Sequence, residues 1–293
     1  VGEPMILVVG DVVDDIGVRP LEPVTPRSDT NAEIRMTAGG SAANTAAWLG
    51  HLGAPTRFVG KVGADGVERH GDALRDVGVD ARLVADPLLP TATIVLTLDA
   101  EGDRTMYVDR AANATLAPED IAEDVWERVE WLHLTGYTFF DPQTRPVATG
   151  LVRGARERGI GISVDPSSTG FLRQCGVADF MEWTAGVDLV LPNIDEARLL
   201  AGATGPVVDF DALAAAYRHV VVTLGVMGAA YVDAQDRTQV TAPRVQVLDT
   251  TGAGDAFTAG FLAAWVRTRD PRTALTAGTA TAERCITMRG ARP

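Results

Sequence analysis

The chain has 293 residues, 46% of them hydrophobic, and a formal net charge of −13. That is enough chain for one large buried core, while the charge argues against a broad phosphate-backbone contact, so nucleic acid is not an expected partner. No stretch approaches the roughly 20 apolar residues of a membrane span, and two cysteines, Cys175 and Cys285, are too few for a disulfide framework; reduced thiols in a cytoplasmic protein are expected.

In chain order, the apolar run Met5–Val9 predicts a first strand, followed at once by Gly10-Asp11-Val12-Val13-Asp14-Asp15. A carboxylate just past a buried strand faces the crevice where α/β sheets bind ligands. Asp15, Asp11 or Asp14 could face a ligand there, and a solvated loop is the rival. Next come Gly39-Gly40-Ser41-Ala42-Ala43-Asn44. Paired glycines let backbone approach a ligand closely, and the Asn44 amide can both donate to and accept from sugar hydroxyls. A helix over 41–52 follows, with Ala47, Trp48, Leu49 and Leu52 on its apolar side. A tight turn before an ordinary helix would look the same.

Further strands are expected around Arg57–Val59, Trp131–Leu134, Gly161–Val164, Leu189–Leu191 and Val220–Leu224. Helices are expected over 65–77, 118–128, 144–157, 194–202, 209–217, 255–267 and 271–287. Alternation of this kind predicts a mainly parallel sheet covered on both faces. Segments 16–37 and 79–110 differ. Ile94, Leu96 and Leu98 alternate with other residues, and after Asp99–Asp103 the run Arg104–Val108 returns as a hairpin. A flap over the site is one reading and an edge hairpin of the main sheet the other. Asn193 and Glu196 read as a helix start with Asn as cap.

The most informative segment is Leu248 to Gly260, where a glycine-rich turn enters an apolar helix with Asp255 at the junction. Free N–H groups at a helix start favour an anion. Asp255 can cap that helix or take a proton beside the bound anion. The helix dipole would keep it ionised and burial would raise its pKa. Other phosphate-binding schemes are absent: Lys61 is the only lysine, no Gly-Lys-Ser/Thr occurs, and neither His-Arg-Asp nor Asp-Phe-Gly is present. Gly-x-Gly-x-x-Gly is missing after the first strand, which removes the dinucleotide-binding pattern.

Asp249-Thr250-Thr251-Gly252-Ala253-Gly254-Asp255 resembles the second signature of the ribokinase, or phosphofructokinase-B, family of sugar and nucleoside kinases. Residues 39–46, continuing through Gly53 and Gly63, resemble its first signature. The resemblance implies an α/β fold: a ribokinase-like three-layer sandwich, 1–293 as a single domain, with a small β lid from 16–37 and 79–110. It implies transfer of the γ-phosphoryl group of ATP to a hydroxymethyl group of a sugar-like molecule, with a nucleoside kinase or a non-catalytic sugar-binding relative as alternatives. Asp255 would be the base, with the N–H groups of Gly252, Ala253 and Gly254 as anion hole. Asp15, Gly39, Gly40 and Asn44 would hold the acceptor. Asn193 and Glu196 would lie near Mg²⁺, with Glu196 reaching it through water, and Thr223 and Gly225 would touch the nucleotide. Asp249 and Thr251 lie where some members bind a monovalent cation such as K⁺, and the lid often pairs two subunits into a homodimer. Ser41 replaces a lysine and Val13 an asparagine of close ribokinases, which points away from ribose. A sugar acid would want a cation, and Arg104 or Arg110 could supply one.

Overall fold

A computed structural model describes residues 3–98, 104–203 and 205–293, Leu98 and Arg104 by their backbone only. The expected turn at Asp99–Asp103 therefore lies outside the described residues. The strands are β1 (Met5–Val9), β2 (Val13–Pro20), β3 (Ala32–Gly39), β4 (Thr56–Gly63), β5 (Val79–Asp86), β6 (Ala92–Leu98), β7 (Arg104–Asp109), β8 (Val129–Thr135), β9 (Gly161–Asp165), β10 (Leu189–Val190), β11 (His219–Thr223), β12 (Ala229–Val232) and β13 (Arg237–Val240). The helices are α1 (Ser41–His51), α2 (Val67–Arg75), α3 (Gly136–Phe140), α4 (Arg145–Glu157), α5 (Thr169–Cys175), α6 (Val177–Trp183), α7 (Ile194–Leu200), α8 (Phe210–Ala216), α9 (Ala253–Thr268) and α10 (Pro271–Ile286).

A large sheet runs β13-β12-β11-β10-β9-β8-β1-β4-β5, parallel from β11 to β5 and antiparallel at β12 and β13. The period-2 alternation of β1 explains its central place. Met5, Leu7 and Val9 face one core, with α3 to α8, and Ile6 and Val8 face the other, with α1, α2, α9 and α10. Strand order reverses about β1, since β4 pairs on one side and β8 on the other. That switch point opens a crevice at the carboxyl end of β1.

A second, four-stranded sheet runs β3-β2-β6-β7. The expected hairpin is present, with Ile94 paired to Val108 and Leu96 to Met106. Two expectations need correction. Val79–Asp86 does not join this small sheet: it pairs in parallel with β4 at the edge of the large one. Residues 118–128 form two short 3₁₀ turns, Pro118–Asp120 and Glu123–Trp126, instead of one helix. Asp120 explains the break, because its carboxylate accepts from the Ala117 N–H (2.8 Å) and from Lys61 Nζ (2.9 Å). Helices α3, α5 and α6 have no counterpart in the periodicity reading. Each is seven residues or shorter.

Candidate active site

A cavity of about 930 Å³ lies between the carboxyl ends of the large sheet and the inner face of the small one. Asp15, Ser41, Asn44, Asp165, Glu196 and Asp255 are on its wall. The small sheet contributes Ile94, Leu96, Met106 and Val108 from one face, the alternation that period-2 strands require.

Of the three early aspartates, two are committed elsewhere. Asp11 accepts from the Ser41 and Ala42 N–H groups (2.7 and 3.1 Å), satisfying the start of α1 from outside the helix. Asp14 is buried against Arg69 and His70, which lie on α2. Burial holds His70 down to about 4, so the ring is neutral and Arg69 carries the balancing charge. Asp11 and Asp15 both line the cavity, but Asp11 is tied to the start of α1, which leaves Asp15, at the start of β2, as the uncommitted one. Burial raises its carboxyl to about 6 while Arg292 pulls the other way. Its carboxylate lies directly over Gly39: a Cβ built there would sit 2.0 Å from Asp15 Oδ2. A side chain at 39 would have to displace that carboxylate, and this is why the position matters although Gly39 is not itself on the wall.

The two distant motifs meet on one carboxylate. Ser41 Oγ donates to Asp255 Oδ1 (2.7 Å), and Asn44 Nδ2 donates to Asp255 Oδ2 (2.9 Å). Both bonds favour the ionised form, yet burial dominates and pushes Asp255 up to about 8, with Asp165 and Asp11 adding repulsion. Asp255 stands in the first turn of α9, whose side chains are mostly buried. The turn is set by Gly252, at φ 77 in the left-handed region, where a Cβ would lie 2.6 Å from Ala291. Gly252 and Gly254 face the cavity. The Ala253 N–H is occupied by the Thr250 carbonyl (3.3 Å), so it is not aimed at a ligand as expected.

Asn193 and Glu196 form a reciprocal capping box at α7. Asn193 Oδ1 accepts from the Asp195 and Glu196 N–H groups (2.9 and 3.0 Å), and Glu196 Oε2 accepts from the Asn193 N–H (2.9 Å). The cap is real, and both residues also line the cavity. Asp165, which the motif reading passed over, ends β9 beside them. Burial, and repulsion from Glu196, hold its carboxyl well above the usual range. The missed signal was the same one used at β1, a carboxylate at the end of an apolar run. Thr223 ends β11, bridges to Asn193 and reaches the cavity, whereas Gly225 is not on its wall. Asp249 accepts from the Thr251 N–H and hydroxyl (3.0 and 2.7 Å) and from the Gly290 N–H (3.3 Å), tying the glycine turn to the segment after α10.

An oxygen-only donor set of Asn193, Glu196 and Asp165 suits a hard cation, which would relieve the repulsion between the two buried acids. Among the described residues no group of three or more His, Cys, Asp or Glu side chains could hold a metal alone. Such an ion would take most of its ligands from water and phosphate, as Mg²⁺ commonly does. Among the described residues no helix is long and apolar enough to cross a membrane.

The pfkB family carbohydrate kinase model matches residues 3–293. The chain belongs to the pfkB family of carbohydrate kinases. It shares 32% identity with an ATP-dependent ribose-1-phosphate kinase of Halopiger xanaduensis, over 85% of this chain and 81% of that one. Its structure superposes on adenosine kinase from Sinorhizobium meliloti with a TM-score of 0.88 and 26% identity, covering 100% and 96% of the two chains. A putative ribokinase II from E. coli, solved in complex with ATP and Mg²⁺, superposes with a TM-score of 0.87 at 24% identity, covering 99% and 94%. The ribokinase-like fold expected from the two signatures is thus present, and the pfkB chain is a sugar or nucleoside kinase of the ATP-dependent class.

Proposed function

We propose that this pfkB kinase phosphorylates the hydroxymethyl group of a sugar or sugar-like molecule, with Asp255 as general base. The observation that carries this is the convergence of Ser41 and Asn44 on Asp255 across 214 and 211 residues, at the mouth of a helix, on a cavity wall. Asp15 and Gly40 hold the acceptor so that its hydroxyl meets Asp255. Asp255 accepts the hydroxyl proton as the oxygen bonds to the γ-phosphorus of ATP and the bond to the β,γ-bridging oxygen breaks, so that ADP leaves. The N–H groups at the start of α9 face the charge that develops on the moving phosphoryl oxygens. Each preorganised donor of that kind is worth on the order of 10²–10³ in rate. Asn193, Glu196 and Asp165 would hold Mg²⁺, which when bound would supply positive charge against the phosphates. Thr223 lies against the nucleotide.

The small sheet acts as the lid, excluding water over the acceptor. Its outer face exposes Ile34, Met36 and Tyr107, which supports a homodimer through the lids; single exposed apolar residues are ordinary, but a row on one sheet face is a surface to cover. K⁺ beside Asp249 and Thr251 would steady the glycine turn, and turnover in K⁺ against Na⁺ buffers tests that part alone.

Arg110 favours a narrower acceptor. It stacks over Phe171 (4.9 Å) and Tyr137 (5.9 Å) on the cavity wall and has no carboxylate within salt-bridge distance among the described residues. An acceptor bearing phosphate or carboxylate would complete it. The test is ADP release from Mg-ATP with pentoses, hexoses, nucleosides, sugar acids and sugar phosphates. Turnover with one acceptor supports the proposal and names the substrate. ATP binding without turnover on any of them favours a non-catalytic sugar-binding relative, and failure to bind ATP refutes the reading.

A further inference from the structure

Arg292 lies just after α10 and is absent from both motifs, yet its side chain reaches into the acceptor side. Its Nε–H donates to Asn44 Oδ1 (2.9 Å), and Nη2 donates to the Gly39 carbonyl (2.5 Å). Nη1 is buried without a hydrogen-bond partner among the described residues. The backbone that delivers it is held on two sides: Trp48 Nε1 donates to the Ala291 carbonyl (2.9 Å), and Gly252 packs against Ala291.

A guanidinium has donors only, so the atom of Asn44 that faces it must be the carbonyl oxygen. The amide nitrogen must then face Asp255. With the amide reversed, its N–H groups would oppose the guanidinium and its oxygen would oppose the carboxylate, two repulsive contacts in a buried place. Arg292 also holds the carbonyl of Gly39, the residue on which the Asp15 carboxylate rests. One side chain thus bears on the base through Asn44 and on the acceptor-side acid through Gly39.

We propose that Arg292 is a positioning residue for the phosphoryl acceptor. It locks the Asn44 carboxamide in the orientation that donates to Asp255, and it sets the backbone under Asp15. This inference rests on the kinase reading above for its catalytic consequence, but not for its geometry.

The experiment has two arms. In the first, Arg292→Ala, Asn44→Ala and the double variant are compared for turnover and for ATP binding. Arg292→Ala lowers kcat/KM for the acceptor by about 10–100-fold, the scale of a misplaced reacting group, while the Kd for ATP stays within about twofold of the parent, a small fraction of the roughly 1.4 kcal/mol that marks tenfold. In the Asn44→Ala background the same change costs much less, because the group it acts through is gone. Equal cost in both backgrounds, or a loss of ATP binding as large as the loss of turnover, overturns the proposal. Free guanidinium ion restores part of the activity of Arg292→Ala but not of Arg292→Ala/Asn44→Ala. In the second arm, protein labelled with ¹⁵N at asparagine reports the Asn44 side-chain amide directly, assigned by its absence in Asn44→Ala. Arg292→Ala moves or broadens that signal; an unchanged signal overturns the proposal even if no acceptor is ever found. If the signal moves and the parent protein turns over nothing, the positioning holds and the kinase reading is the part that fails.

Discussion

Replacing Asp255 by asparagine should cost activity and add stability, and the two effects come from the same desolvated carboxylate. In Asp255→Asn the new carboxamide keeps the local bonds: its oxygen accepts from Asn44 Nδ2, and its nitrogen donates to Ser41 Oγ. What the variant loses is the ability to take a proton, so turnover should fall by about 10²–10⁴-fold. The folded-state pKa of Asp255, raised from 3.8 to about 8, lies above the unfolded value, so the folded protein holds this proton longer. Stability from the group is therefore complete below about pH 4 and is lost as pH rises to 8. Taken whole, that rise corresponds to about 5–6 kcal/mol. The group borders a wetted cavity, so screening brings the expected gain of the variant to about 2 kcal/mol at high pH. For a chain of this length that is a rise in Tm of about 3 °C. The gain should vanish near pH 4, where the side chain at this position is uncharged in parent and variant alike. Melting curves of both proteins from pH 4 to 9, with ADP release measured alongside, check it. A stability difference that does not change with pH, or a variant that turns over at more than a tenth of the parent rate, would refute the reasoning.

Ser41→Ala and Asn44→Ala each remove a bond that favours ionised Asp255. The acid limb of the kcat/KM profile should therefore move to higher pH in both variants, and a limb that stays in place would show that Asp255 is not the group being titrated. Asp15→Asn and Asp14→Asn should separate cleanly. The first raises KM for the acceptor without lowering the melting temperature, since burial already holds the Asp15 carboxyl above its usual range. The second removes the closer of the two carboxylates that Arg69 meets, leaving only Asp65 at 3.9 Å, and lowers melting temperature, by an amount softened by the partial exposure of Arg69; if the two variants behave alike, the division of labour among the early aspartates is wrong. Gly252→Ala faces both a left-handed backbone and the 2.6 Å approach to Ala291; it should destabilise by about 2 kcal/mol or more and abolish turnover, and a folded, active variant would remove the glycine turn from the mechanism. Met36→Glu on the outer face of the small sheet should convert a dimer to a monomer in sedimentation, and a parent that already sediments as a monomer would end the lid-pairing idea.

Read as letters, the chain already contains its parallel sheet. Met5–Val9 sends alternate side chains to two cores, and helical patterns alternate with the strands after it, so local periodicity and the need to bury both faces of a sheet were enough. The glycine turn before Asp255 was equally legible, because a left-handed backbone and a helix start are written in neighbouring residues. Other features could not be read locally. Nothing in Val79–Asp86 says which sheet it joins, because edge pairing depends on what β4 leaves open. Asp11, Asp14 and Asp15 look interchangeable in sequence, and only packing gave the first to a helix start and the second to Arg69 and His70. Arg292 meets Asn44 from 248 residues away. Hydrogen bonds and desolvation act over a few ångströms of space, whatever the distance along the chain. The sequence by itself therefore determined the kind of chemistry and the frame, while tertiary structure alone decided which early carboxylate is left uncommitted on the cavity wall and which side chains aim at Asp255.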